Sequence, residues 1–266
     1  MREVQIPQGR VRLRETGQGP PLLLAVDPPN VLEQHAALCV ALRSVARVVV
    51  FEPPGFGHSA AARGHAQTLD AQADATIALL DKLALGPVTL ALPCVGAFVA
   101  LRVAARRPDL VARIVTIQAP AWDDALRWVD RVDAHGLLRA PLVGPAVGYV
   151  RAPEIAKRWY RAALPTKEQG DAFGLLAVEA FDHGARFPLA AAFRALERSE
   201  PPPATDLPVL SFWGEKDRTH ARSDPEGIRK HAPRAKIVRF ADAGHFPELE
   251  EPRRFAEEIR AWLQDS

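Results

Sequence analysis

The sequence is poor in cysteine: only Cys39 and Cys94 occur in 266 residues, in different apolar segments, which excludes a disulfide framework. It has almost no imbalance of charge. The 34 basic residues against 32 acidic ones leave a formal net charge of +2, which makes no electrostatic case for nucleic acid or an anionic membrane as partner. The arginines are dispersed, and the nearest thing to a cluster, Arg102, Arg106 and Arg107, reads as the solvated face of a helix. No apolar run reaches the ~20 residues of a membrane span. The N-terminal MREVQIPQGRVRLRETG lacks the apolar core of a secretory signal. Repeats and low-complexity tracts are also missing. These absences lead to the expectation of a soluble cytoplasmic protein.

What is present is an alternation. Leu22–Val26, Val48–Glu52, Val88–Leu92 and Val111–Ile117 are short apolar runs bounded by turns and read as buried strands. Val31–Leu42, Leu69–Leu83 and Val95–Arg106 carry helical patterns between them. Strand and helix in alternation predict an α/β fold, a mostly parallel sheet with helices on both faces. Gln5–Arg14 reads as a hairpin arm at the sheet edge. After Ile117 the pattern changes. Residues 121–199 hold helical periodicity and many aromatics, and read as a helical cap. Pro201-Pro202-Pro203 marks a rigid exit from it. The rhythm resumes with Val209–Trp213, Lys236–Phe240 and a final helix Pro252–Gln264, so that residues 1–120 and 200–266 form the core domain.

Four stretches carry chemistry. Phe51-Glu-Pro-Pro-Gly-Phe-Gly-His-Ser59 is a strand running into a glycine turn, where Ser59 reads as a turn hydroxyl. Leu92-Pro93-Cys94-Val95-Gly96-Ala97 has the form of a sharp strand-to-helix turn. Such a turn exposes its central residue over a helix N-terminus, which favours a thiolate. Alone it leaves Cys94 open between a nucleophile and a small buried residue. Val209-Leu-Ser-Phe-Trp-Gly-Glu-Lys-Asp217 ends a strand with an aspartate in a loop. Ala241-Asp-Ala-Gly-His-Phe-Pro-Glu-Leu-Glu-Glu-Pro252 presents His245 before the last helix.

The order nucleophile, acid, histidine along this scaffold resembles the capped members of the α/β-hydrolase family. Trp213-Gly-Glu-Lys-Asp217 and Gly244-His-Phe-Pro-Glu-Leu-Glu-Glu-Pro252 are similar to that family's acid and histidine loops, and Pro54-Gly-Phe-Gly57 to its turn after the fourth strand. The resemblance runs from about Val11 to Leu263. It implies the α/β-hydrolase fold with the cap inserted after the sixth strand. It also implies Cys94 as nucleophile, His245 as general base and acid, and Asp217 orienting His245. No cofactor and no metal are implied. The expected partner is a small-molecule substrate, and the expected assembly is a monomer or homodimer. Trp128, Trp159, Tyr160, Phe181 and Phe246 are the expected substrate-binding side chains, which leans towards an apolar or aromatic substrate.

Two departures from the family pattern stand out. Leu92 occupies the first elbow position, normally glycine. In the loop after the third strand, Leu22-Leu-Leu-Ala-Val-Asp-Pro-Pro-Asn30 puts Val26 and Asp27 where the family has His-Gly, and Pro28 at an oxyanion-donor position. Proline has no N–H, and losing one such donor costs an acyl-transfer enzyme roughly 100- to 1,000-fold in rate. The Val95 amide is left as one donor, and Asn30 or a cap group is a candidate for the other. Three readings follow. One is a Cys-His-Asp hydrolase or acyltransferase for an ester, thioester or lactone. Another is a non-hydrolytic acid–base catalyst (cyclase, isomerase or lyase) using His245 and Asp27. The third is a non-catalytic small-molecule-binding protein.

Overall fold

The computed structural model describes residues 1–264. β1 (Arg2–Ile6) and β2 (Gly9–Thr16) form the expected hairpin, buried on alternate residues. β2 continues antiparallel to β4 (Arg47–Phe51) and also holds the two-residue β5 (Ala60–Ala61). From β4 onward every pairing on the main path is parallel. β3 (Pro21–Ala25), β6 (Val88–Pro93), β7 (Val111–Ile117), β8 (Val209–Gly214) and β9 (Lys236–Phe240) complete the order β1-β2-β4-β3-β6-β7-β8-β9.

The central strands are buried on both faces because successive side chains face opposite layers. Leu22, Leu24, Val48 and Val50 pack towards α1 (Ala36–Leu42) and α10 (Pro252–Gln264). Leu23, Val49, Leu90 and Leu92 pack towards α2 (Leu69–Leu83) and α3 (Gly96–Arg106). The predicted helix over Val31–Leu42 is divided in two, with a 3-10 turn at Leu32–His35 ahead of α1. There the Leu32 amide donates to the buried Glu52 carboxylate and the Val31 amide to Gln34 Oε1, which ties this first turn to the neighbouring loop.

Between β7 and β8 lie five helices: α4 (Trp122–Val132), α5 (Val143–Val150), α6 (Ala152–Ala163), α7 (Lys167–Asp182) and α8 (Leu189–Glu197). β7 is seventh in chain order only because of β5. On the main path of the sheet it is the sixth strand, where the insertion was expected. A short α9 (Pro247–Glu250) precedes α10. Among the described residues no helix is long and apolar enough to cross a membrane.

Candidate active site

The C-terminal ends of β3, β6 and β8 and the loop after β9 converge on one point. Cys94 follows β6 with φ of 50°, a left-handed conformation that non-glycine residues rarely adopt and that costs free energy. Its amide donates to the Ile117 carbonyl at 2.7 Å and its carbonyl accepts from Ala97 at 3.1 Å, so both neighbours hold the turn in place. The Leu92 departure is absorbed by Gly96. A Cβ at Gly96 would stand 3.1 Å from the Leu92 Cβ, and its absence gives the leucine room.

His245 is buried and held from three sides. Its Nδ1 faces Asp217 Oδ2 at 2.6 Å, its Nε2 faces Asp27 Oδ2 at 3.2 Å, and its backbone amide donates to the Ala163 carbonyl at the end of α6 at 2.9 Å. The edge of the Trp159 ring meets the imidazole at a centroid distance of 5.3 Å. The close approach of these loops needs glycine. A Cβ on Gly214 would fall 1.7 Å from the Gly244 carbonyl oxygen, and one on Gly244 would fall 2.1 Å from the Ala163 oxygen.

Asp217 has a full set of partners. Oδ1 accepts from the Thr219 amide at 2.8 Å and its hydroxyl at 2.7 Å, and Oδ2 accepts from Gln118 Nε2 at 3.0 Å. Gln118, itself at φ of 50°, also accepts from the Gly214 amide, and so ties the ends of β7 and β8 together.

The charges follow from this packing. Burial works against a charged His245, but Asp217 and then Asp27 outweigh it and hold the imidazole well above its ordinary value. Burial works against a charged Asp217 too, and the adjoining imidazolium wins, so its carboxyl is pushed down. The Cys94 thiol is pushed up, first by burial and then by the Asp27 charge. The imidazole thus stands between the Asp217 and Asp27 side chains, beside the Cys94 thiol.

Cys94, Asp27, Pro28, Val95, Trp128, Trp159 and His245 all line one apolar cavity of about 130 Å³. Three expected substrate-binding residues do not. Tyr160, on the buried face of α6, donates its hydroxyl to Asn30 Oδ1 at 3.0 Å and packs with Phe173 and Phe246. Phe246 is itself fully buried against Tyr160 and Phe173, and Phe181 faces a separate cavity near Ala185. These aromatics fix the seat of the helical insertion, because apolar rings at the helix–core junction gain more by packing than by facing a ligand. The helical periodicity of Tyr160 and Phe181 looked the same as that of pocket residues. Ser59 is a turn hydroxyl, as expected, donating to the Glu52 carbonyl and accepting the Arg12 amide.

Three polar side chains at the site escaped the sequence reading: Gln118, His220 and Glu248. His220 stacks on Trp128, tilts over His245 at 5.4 Å and is held neutral by burial, with its pKa lowered to about 3. Its position three residues after Asp217 was the available signal. Glu248, buried on the turn after His245, is pushed up to about 8 by burial. Asp27, Cys94 and His245 present donor atoms within 4.8 Å of one another, as do Asp217, His220 and His245. Both sets share His245, whose ring nitrogens already face carboxylates.

Comparison with known proteins agrees with this architecture. Residues 29–252 match a family model described as the alpha/beta hydrolase fold. A thermophilic esterase from Thermogutta terrifontis is 25% identical, with a TM-score of 0.73 over 100% of this chain and 99% of that one. Epoxide hydrolase A from Mycobacterium thermoresistibile has 18% identity and a TM-score of 0.79, covering 99% and 97% of the two chains, and shows likeness of fold. In sequence, the dihydrolipoyllysine-residue acetyltransferase component of the acetoin cleaving system of Pseudomonas putida is 28% identical over 258 residues, 92% of this chain. The chain spans 64% of the length of that relative.

Proposed function

The chain belongs to the α/β-hydrolase fold family, and from that premise we propose that it is an enzyme that hydrolyses or transfers a small apolar or aromatic acyl group, carried as an ester, thioester or lactone, through Cys94, His245 and Asp217. One observation carries the reading. Cys94 is held in a left-handed turn beside His245, whose far nitrogen is fixed by Asp217 at 2.6 Å. A strained non-glycine residue over a helix N-terminus, next to an oriented imidazole, is the arrangement that activates a nucleophile. The helices α4–α8 act as a cap over it.

In this reading Asp27 repairs the loss that Pro28 causes. His245 Nε2 faces Asp27 at 3.2 Å, so in this reading it passes its proton to Asp27 as it takes the proton leaving the Cys94 thiol. The thiolate attacks the carbonyl carbon. Asp27, now a carboxylic acid, offers an O–H to the developing oxyanion where Pro28 has no N–H, and the Val95 amide offers the other donor. When the C–O or C–S bond breaks, the leaving group takes that proton and the acyl group stays on Cys94. Water or an acceptor alcohol then loses a proton to the same Asp27–His245 pair, attacks the thioester and expels the Cys94 thiolate, which is reprotonated. The cavity of about 130 Å³ suits a small acyl group, since a dry apolar cavity of roughly 150 Å³ takes up benzene.

The 3.2 Å contact of Asp27 with His245 Nε2 favours a second reading, in which this pair moves a substrate proton without a covalent intermediate. Incubation with 4-nitrophenyl benzoate followed by intact-mass measurement tells the two apart. A benzoyl adduct that disappears in Cys94→Ala is expected. Full activity of Cys94→Ala on a turned-over substrate, with activity lost in His245→Ala, sinks the covalent reading and leaves the acid–base one.

A further inference from the structure

A second and larger cavity, of about 810 Å³, adjoins the first, and Trp159 and Leu189 line both. Its character is opposite. The fold gathers into it five arginines from three separate stretches of the sequence: Arg131 at the end of α4, Arg151 between α5 and α6 with Arg158 on α6, and Arg218 and Arg222 after Asp217. Only two carboxylates share the lining, and both are engaged. Asp133 accepts the Leu138 and Arg139 amides and pairs with Arg139, and Glu154 pairs with Arg151 at 3.6 Å. Arg218 donates to the Arg161 and Pro165 carbonyls. Among the described residues, Arg131, Arg158 and Arg222 have no carboxylate partner in the cavity or outside it. The Nη2 of Arg131 is buried without any hydrogen-bond partner.

A buried guanidinium nitrogen without an acceptor is costly. Five arginines converging in a chain of net charge +2 do not follow from its composition. Three uncompensated guanidiniums suit a multivalent, planar-faced anion better than a single carboxylate, and arginine's forked donors match phosphate oxygens. The volume lies within the range of ligand cavities, whereas the Cys94 cavity holds only a small group.

We propose that this arginine-lined cavity binds the phosphate-bearing end of an amphiphilic acyl substrate whose acyl end passes Trp159 and Leu189 into the Cys94 cavity. The inference rests on the acyl reading above and names its substrate class: an acyl group on a large phosphorylated carrier, in preference to a small neutral ester.

Two thioesters with the same acyl group test it: benzoyl coenzyme A, whose thiol carries a phosphorylated nucleotide, and the neutral S-benzoyl-N-acetylcysteamine. The expected result is a higher kcat/KM for the coenzyme A thioester, competitively inhibited by inorganic pyrophosphate and weakened by salt. In Arg158→Ala and Arg222→Ala, both exposed positions, the preference for the phosphorylated thioester should fall roughly tenfold to a hundredfold each, the worth of one charge-assisted hydrogen bond. Binding of free coenzyme A to the Cys94→Ala protein, measured by titration calorimetry, separates the two layers of the argument. Binding that weakens in the arginine variants without turnover of any thioester upholds the cavity and defeats the acyl chemistry. Equal use of both thioesters, or coenzyme A binding indifferent to Arg158 and Arg222, overturns the cavity proposal whatever the chemistry at Cys94.

Discussion

Replacing Asp27 with asparagine separates two effects that the wild-type site holds together. The carboxylate oxygen and the Cys94 sulfur lie within 4.8 Å, and the thiol is pushed up by burial and then by that charge. At this separation two unit charges in a partly relaxed protein interior interact by about 3.5 kcal/mol, taking an effective dielectric constant near ~20. His245 offsets part of this, because losing Asp27 also loosens the imidazolium's hold on its proton, so the expected gain in rate is well below that full Coulomb worth, roughly tenfold. Asp27→Asn should therefore raise the second-order rate of Cys94 alkylation by iodoacetamide at neutral pH by about that factor. The same change should lower acyl turnover, because asparagine cannot take the thiol proton or return it to the leaving group. The assay is intact-mass alkylation in a Cys39→Ala background, which leaves a single thiol, across pH 6 to 9, beside 4-nitrophenyl ester hydrolysis. Alkylation no faster in Asp27→Asn at every pH would refute the electrostatic argument. Turnover that rises together with alkylation would refute the role given to Asp27 as proton acceptor.

Three further outcomes follow from the geometry. Pro28→Ala restores an N–H at the loop that lines the Cys94 cavity and should raise ester turnover by about tenfold, less than the full worth of an oxyanion donor because Asp27 already serves; an unchanged kcat would count against that placement. Gly214→Ala forces a Cβ into the Gly244 carbonyl and should cost about 1–3 kcal/mol in urea unfolding while abolishing turnover, since the loops bearing Asp217 and His245 must part; wild-type stability with full activity would contradict it. Glu248, raised to about 8, adds stability that is complete below its unfolded value near 4.5 and is lost as pH rises through 8. Glu248→Gln should flatten that fall by up to about 4 kcal/mol between pH 5 and 9, and parallel pH–stability curves for the two proteins would refute the buried neutral carboxyl.

The strand–helix alternation was legible because parallel strands buried on both faces are short apolar runs by necessity, and β6, β7, β9 and α10 fall where those runs predict. The three loops that meet at the site were legible for a similar reason: each needs a glycine or a sharp turn at a strand end, and such turns leave marks in sequence. Aromatic roles were not legible. Trp128 and Trp159 face the Cys94 cavity while Tyr160 and Phe246 pack beneath it, yet Trp159 and Tyr160 are neighbours on one helix. A difference of 100° in helical direction separates ligand contact from core, and only the packing of α6 against the loop after β9 decides which is which.

The arginines show the same limit from the other side. Read along the chain, Arg131, Arg151, Arg158, Arg218 and Arg222 are ordinary surface residues, and the dispersion of charge argued against an anionic partner. Folding brings α4, α6 and the loop after β8 together around one cavity, so charges spread over about 90 residues act at one place. Net charge therefore speaks to nonspecific adhesion to polyanions, which is a property of the whole surface, and not to recognition of one anion, which is a property of convergence. The same distinction applies at the Cys94 cavity. In sequence Asp27 stands next to Pro28 in the loop that departs from the family pattern, and one of the three readings paired it with His245. In space its side chain stands 3.2 Å from Nε2 of His245, a residue 218 positions away, which is the contact that an acid–base role for this pair requires.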